Sequence, residues 1–143
     1  MLLVCSKSTR RFFPEIEKVK IVSGTLDTKI LLSENSEEEV IACGGGAVVD
    51  AAKIISKNPI TCYPTTAAGS ASTEHAVVWN GSQKISVKCD VPKKVIVQKD
   101  FLDGLPSYVV FETKVDMISH CFDSFYSKKA TRESKALVEK ALD

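Results

Sequence analysis

The chain has 143 residues, 44% of them hydrophobic, with 19 basic and 18 acidic side chains for a net charge of +1. That is the size of one ordinary domain, with enough apolar material for a core. A balanced charge with no basic tract argues against a nucleic-acid partner. No apolar run comes near the roughly 18 residues that a membrane-spanning helix needs.

The opening reads MLLVCSKSTRR. Its apolar run is short and its basic residues follow rather than precede it, the wrong order for a signal peptide. It reads as the first strand of a cytoplasmic protein. The cysteines at 5, 43, 62, 89 and 121 are odd in number and widely spaced, with no CxxC. Neither a zinc ribbon nor a dithiol redox site is supported, and buried reduced thiols are expected.

Leu2 to Cys5 is the first strand. Ser8 or Thr9 is placed to cap a following helical stretch, with Pro14 starting or interrupting it. Val19 to Ser23 forms a second apolar run closed by Gly24. Residues 25 to 38 are polar, with a short strand expected at Ile30 to Leu32 and a solvated turn or short helix around Ser36 to Glu39. Val40 to Cys43 is a buried strand, three glycines follow, and Val48, Ala51, Ala52 and Ile55 then share one helical face. Ile60 to Tyr63 is the next strand, ending at Pro64 and the small-residue stretch TTAAGSAST. Asn80-Gly81 marks a hairpin within residues 75 to 88. Lys94 to Val97 is a further strand. From Pro106 the pattern is helical, with Thr131 as the N-cap of a last helix. Strands alternating with helices predict an α/β layer over 1–104, and the change to helix alone predicts a second region over 105–143.

Three stretches carry chemistry. In ACGGGAVVDAAK a glycine turn joins strand to helix, which lets the backbone approach an anion at the helix N-terminus. It is not GxGxxG, so the usual dinucleotide fingerprint is absent. A plain tight turn explains the residues equally well. YPTTAAGSASTE follows the next strand with two hydroxyls and several small residues, and it reads as a surface loop or as the second wall of a ligand crevice. Asp116 and His120 lie four apart, on one side of a helix. Carboxylate with imidazole suits Fe²⁺ or Zn²⁺, but a site needs three or four protein ligands, and a lone pair of this kind is commonly structural.

Taken together, GGGAVVDAAK at 44 to 53, PTTAAGSASTE at 64 to 74, Leu105-Pro106 and DMISH at 116 to 120 resemble the iron-dependent (group III) alcohol dehydrogenases of the dehydroquinate synthase-like superfamily. The family pattern is GGGSxxDxAK, then PTTxGTGSE, then an Asp-x-x-x-His helix after a Leu-Pro segment. The resemblance implies a Rossmann-like, NAD- or NADP-binding layer followed by a helical metal-binding domain, with the cofactor between them. It implies that Gly45, Gly46 and Ala47 receive the pyrophosphate, that Asp50 lies near the nicotinamide end, and that Thr65, Thr66 and Lys84 contact the cofactor. Asp116 and His120 match the first two metal ligands. In the family the metal polarises an alcohol or aldehyde oxygen during hydride transfer.

The chain departs from that pattern at several places. GTGSE becomes GSAST followed by Glu74, the Asp-Pro after the strand at 94 to 97 is Gln98-Lys99, and the Gly before the metal helix is Lys114. Only 43 residues precede the glycines. The acidic residue that would select NAD over NADP has positional candidates in Asp27, Glu34 and Glu37, and none is assigned. The family's two remaining histidine ligands lie well downstream of the Asp-x-x-x-His helix, so Asp116 and His120 read as half a metal site.

The function expected is that of an NAD(P)- and metal-dependent alcohol dehydrogenase or aldehyde reductase, incomplete and inactive as this chain alone. A non-catalytic nucleotide- or partner-binding remnant is the alternative from another class, and a dehydroquinate synthase-like lyase ranks below both. A small alcohol or aldehyde is the expected substrate. Exposed apolar residues of the helical part, Met117, Phe122 and Phe125 among them, predict self-association or a homodimer.

Overall fold

The computed structural model describes residues 1–23, 35–67 and 69–143. They form two compact units, Met1–Gly104 and Leu105–Asp143. Gly24, Asp27, the strand expected at Ile30 to Leu32, and Glu34 lie outside the described residues.

The first unit is built on five parallel strands: β1 (Leu2–Cys5), β2 (Val19–Ile21), β3 (Val40–Gly44), β4 (Thr61–Pro64) and, numbered after an intervening hairpin, β7 (Lys94–Val95). Their order is β2-β1-β3-β4-β7. Leu3 aligns with Val19 on one side and Ile41 on the other, and Ile41 aligns in turn with Thr61. This is the doubly wound order in which the chain steps outward from β1 in both directions.

A parallel sheet covered on both faces explains why β1 and β3 read as unbroken apolar runs. On one face Leu2, Val4, Val40, Ala42 and Cys62 meet helix α1 (Gly46–Ile55) through Val48, Val49, Ala51, Ala52 and Ile55. On the other, Leu3, Cys5, Ile16 and Cys43 pack with Phe12, Phe13, Tyr63 and Phe101. Phe12 stacks on Phe101 at 4.1 Å between ring centroids, and Phe13 meets Tyr63 edge-on at 5.1 Å. Alternate residues of one strand thus feed two separate cores. Cys5, Cys43, Cys62 and Cys121 are buried, Cys89 is half-buried, and all five are free thiols.

Strands β5 (His75–Asn80) and β6 (Gln83–Lys88) form an antiparallel hairpin. It buries Ala76 and Val78, the latter in the same core as α1. The two-residue loop is Gly81-Ser82, because Asn80 pairs with Gln83. Only Gly81 has a positive φ there, +60°, which fits a II′ turn with glycine first rather than the I′ turn that Asn-Gly suggests.

Several sequence expectations need correction. The helix after Ser8 is a three-residue 3₁₀ turn, Arg10–Phe12; Pro14 and the aromatic pair that packs on the sheet end it early. Ser36 to Glu39 is not helical. Ser36 bridges to Ser56, its amide donating to the Ile55 carbonyl. Three successive carboxylates then take different cations: Glu37 pairs with Lys57 at 2.8 Å, Glu38 with Lys18 and the N-terminal amine, and Glu39 with Lys93 at 2.7 Å. The strand expected to reach Val97 is only Lys94–Val95, although the Ile96 amide still reaches the Cys62 carbonyl at 2.8 Å. A one-turn helix, α2 (Lys99–Leu102), precedes the helical region and brings Phe101 onto the sheet.

The second unit is a helical pair, α3 (Ser107–Tyr126) and α4 (Arg132–Leu142). Thr131 caps α4 as expected, in a reciprocal box: its hydroxyl accepts from the Ser134 amide at 3.1 Å, and the Ser134 hydroxyl accepts from the Thr131 amide at 2.9 Å. Cys121 and Val138 are the buried side chains of the two helices. Phe111, Phe122, Tyr126 and Leu137 are exposed. Among the described residues, no helix is long and apolar enough to cross a membrane.

Candidate functional site

The carboxyl ends of β1, β3 and β4 lie side by side, and the turns that follow them make the candidate site. Gly44 closes β3. A Cβ there would lie 2.6 Å from Val48 Cγ2 and 2.8 Å from its Cβ, so only glycine lets α1 rise this close to the strand. Gly45 is the N-cap of α1, and no side chain caps the helix. The Val48 and Val49 amides both turn back to the Gly45 carbonyl, at 3.0 and 3.2 Å. The first amides, on Gly46 and Ala47, have no acceptor within the helix, as at any helix start. They sit in partly exposed positions with the positive end of the helix dipole behind them.

The second wall comes from β4. The Thr65 amide donates to the Gly44 carbonyl at 3.0 Å, and Thr65 is buried. A Cβ on Gly45 would meet both Thr66 Oγ1 and Thr66 Cγ2 at 3.4 Å. The glycine turn and the two threonines therefore lie against one another on one side of the candidate site. Its third wall, Ser6 to Thr9 after β1, is one that sequence reasoning missed. The Thr9 hydroxyl donates to the Cys43 carbonyl at 2.7 Å while accepting from the Ser6 amide at 3.0 Å. This ties the β1 loop to the end of β3, across the point where the sheet order reverses and where open α/β sheets bind ligands. The signal available was the polar run SKST directly after an apolar strand.

Asp50 lies one helical turn below Gly46. It is 6% exposed, and its Oδ1 has no hydrogen-bond partner. A buried unpaired oxygen costs on the order of 1–3 kcal/mol and in a native protein calls for an explanation. Burial pushes the Asp50 carboxyl above its ordinary value, opposed by the Val77 amide, the Ser70 hydroxyl and the charges of Lys53 and Lys84. Lys84 stands on exposed β6 opposite Trp79, near enough for its charge to be felt at Asp50.

Lys53, a second residue missed from sequence, is buried one turn further along. Its ammonium donates to the carbonyls of Ser70, Thr73 and His75 at 3.0, 2.8 and 2.6 Å. The signal was a lysine within an otherwise apolar helical segment, three residues after Asp50.

Burial holds the Cys43 thiol up to about 12 and the Cys62 thiol up to about 11. These thiols are packing groups and not nucleophiles.

Asp116 and His120 belong to the other unit. His120 Nε2 and Asp116 Oδ1 are 3.6 Å apart on an exposed face of α3. Among the described residues no group of three or more His, Cys, Asp or Glu is placed to hold a metal ion. Two donors fall short of the three or four that an iron or zinc site takes from protein. The described residues alone therefore do not fit a metal centre.

The unpaired Asp50 oxygen and the uncapped helix start do fit a dinucleotide: an anion at the amides, and a donor-bearing group further along α1.

No protein-family model matches the chain. Its sequence is 26% identical to lactaldehyde reductase of Escherichia coli strain K12, covering 79% of this chain and 37% of that one. It is 32% identical to maleylacetate reductase of Pseudomonas knackmussii over 64% of this chain and 28% of that protein. Solved structures sharing the fold include an iron-containing alcohol dehydrogenase, at a TM-score of 0.83 and 21% identity, with 99% of this chain and 51% of that one covered. Another is an NADH-dependent butanol dehydrogenase of Thermotoga maritima, at 0.71 and 20%, with 99% and 47% covered. The chain thus spans about a third of the length of these curated relatives and about half of these solved structures. Within that span it is a homologue of the iron-containing (group III) alcohol dehydrogenases, the lactaldehyde reductases and the maleylacetate reductases.

Proposed function

We propose that Met1–Gly104 binds a nicotinamide dinucleotide as part of an alcohol dehydrogenase- or aldehyde reductase-type oxidoreductase. One observation carries this reading. The uncapped start of α1, the Thr65-Thr66 turn and the Ser6–Thr9 loop converge at the reversal point of the sheet, with the unpaired Asp50 oxygen one turn away. In this reading the Gly46 and Ala47 amides, with Gly45 leaving room, hold the pyrophosphate. Thr65 and Thr66 line its other side. Asp50 accepts a hydrogen bond towards the nicotinamide end, and Lys84 balances the negative charge there. Bound nicotinamide supplies hydride exchange with a small alcohol or aldehyde, and the protein's part is to orient it and exclude water. NADH is the first dinucleotide to test, because a structural relative bears the name NADH-dependent.

Asp116 and His120 are assigned as two donors of a metal site that needs further ligands. A second reading, dinucleotide binding without turnover, draws on the exposure of this pair. Titration of NADH and of NADPH into the 143-residue chain, followed by nicotinamide fluorescence, tests the main reading. Saturable one-to-one binding of at least one of them is expected. Linear, non-saturating signals with both would overturn it. Turnover on adding Fe²⁺ or Zn²⁺ and an alcohol would overturn the second reading; binding without turnover fits both, because Asp116 and His120 alone are too few ligands for a catalytic metal.

A further inference from the structure

We infer that Lys53 is the positioning residue of the candidate dinucleotide site, its buried ammonium clamping the segment after β4 against α1. Gly46, Asp50 and Lys53 are spaced i, i+4, i+7 and form one stripe along the helix. The stripe carries free amides at its start, a carboxylate one turn on and an ammonium one turn beyond. Lys53 is 5% exposed. All three of its protons are used, by the Ser70, Thr73 and His75 carbonyls.

These acceptors are not equivalent. Ser70 lies in the 3₁₀ turn Gly69–Ser72, Thr73 directly follows it, and His75 opens β5. Carbonyls at the end of a helical turn have lost their backbone partners, and here a side chain from another element replaces them. One ammonium therefore fixes both the exit of the loop and the entry of the hairpin. The same hairpin covers Asp50 through the Val77 amide and carries Lys84. A methylene stem with three donors at its tip does this, whereas a neutral side chain takes this donor from the partly buried Ser70 and Thr73 carbonyls and leaves the His75 carbonyl only the Thr73 hydroxyl, at 3.1 Å. The clamp lets the hairpin hold its position without a hydrogen bond to Asp50 Oδ1, which keeps that oxygen available.

This inference rests on the dinucleotide reading for its purpose, but the clamp is measurable without ligand. Hydrogen exchange in the full chain is compared for wild type, Lys53→Met and Lys53→Gln. The clamp predicts that exchange at residues 70–78 rises at least about tenfold in Lys53→Met, and less in Lys53→Gln, while β1 and β3 stay protected. Unchanged exchange at 70–78 in both variants overturns it. Should Lys53→Met unfold, Lys53→Gln decides by the same criterion. Loss of protection throughout β1 and β3 in both makes Lys53 a general fold residue and overturns the positioning role. NADH titration of the same proteins supplies the second readout. A dissociation constant raised about tenfold or more in Lys53→Met, with β1 and β3 still protected, is the expected result, and an unchanged one overturns the link to the site. Wild type failing to bind any dinucleotide removes the dinucleotide reading and leaves the clamp to stand or fall on exchange.

Discussion

The two units solve the burial problem differently. In Met1–Gly104 the sheet is covered on both faces: Leu3, Val4, Cys5, Ala42, Cys43 and Cys62 are all fully buried. In Leu105–Asp143 the helices bury mainly Cys121 and Val138, while Phe111 and Leu137 remain 68% exposed and Tyr126 74%. Residues of the first unit are chosen by packing from two sides, so a change of one methyl group is felt there. Those of the second are constrained chiefly by helix propensity and caps. The lesson concerns where chemistry can be held rigidly. The glycine turn, Asp50 and Lys53 stand on a closed core, whereas Asp116 and His120 stand on an open helix face.

Substitution should expose this contrast most strongly at the centre of the sheet. Leu3→Ala is expected to cost about 3 kcal/mol in chemical denaturation, whereas Phe122→Ala, on a side chain already 54% exposed, should cost below about 1 kcal/mol. Equal effects would remove the distinction between the units. Gly44→Ala comes next. Its methyl group would press into Val48, and overpacking of this kind costs roughly 2 kcal/mol; a variant of wild-type stability would mean that α1 shifts freely, against the close approach described.

Protonation gives the third contrast. Burial raises the pKa of the Asp50 carboxyl above its ordinary value of about 3.8 in the folded chain. The native state therefore holds an extra proton over the window between the two values. Its contribution to stability is fully present below about 3.8 and is lost as pH rises through the folded value. Asp50→Asn removes this titration. The stability difference between wild type and variant should thus be flat below that window, drift in favour of the variant through it, and level off above. Paired denaturation curves across the acid range measure it, and a difference independent of pH would contradict the buried, unpaired carboxyl. The most local effect is Thr131→Ala, about 1 kcal/mol, confined to α4 and read as lost helicity; an effect spreading to the sheet would show that the units are not separate in energy.

Much of the architecture could be read from local chemistry. The strands at Leu2 and Val40, the glycine turn, the helical face of Val48, Ala51, Ala52 and Ile55, and the Thr131 cap each announce themselves within a few residues. The shortening of the helix after Thr9 did not, because it depends on Phe12 and Phe13 turning to meet Phe101 and Tyr63, which are distant in sequence. The site was half legible for the same reason. Glycines at a strand end advertise close backbone approach, and Asp50 follows them in the same motif. The roles of Thr9 and Lys53 lie in bonds to Cys43, Ser70, Thr73 and His75, and periodicity cannot reveal partners that the fold brings in from other elements.

The central claim is that the start of α1 holds the phosphates of a dinucleotide, and Gly45→Asp tests it most directly. Aspartate is a preferred N-cap and suits the helix dipole, so the variant should keep or raise the melting temperature. Its carboxylate would occupy the position of the incoming anion beside Thr66. Titrated side by side with NADH, wild type should saturate and Gly45→Asp should not. Saturation of both with the same affinity, in a variant that melts normally, would show that the phosphates are not held there.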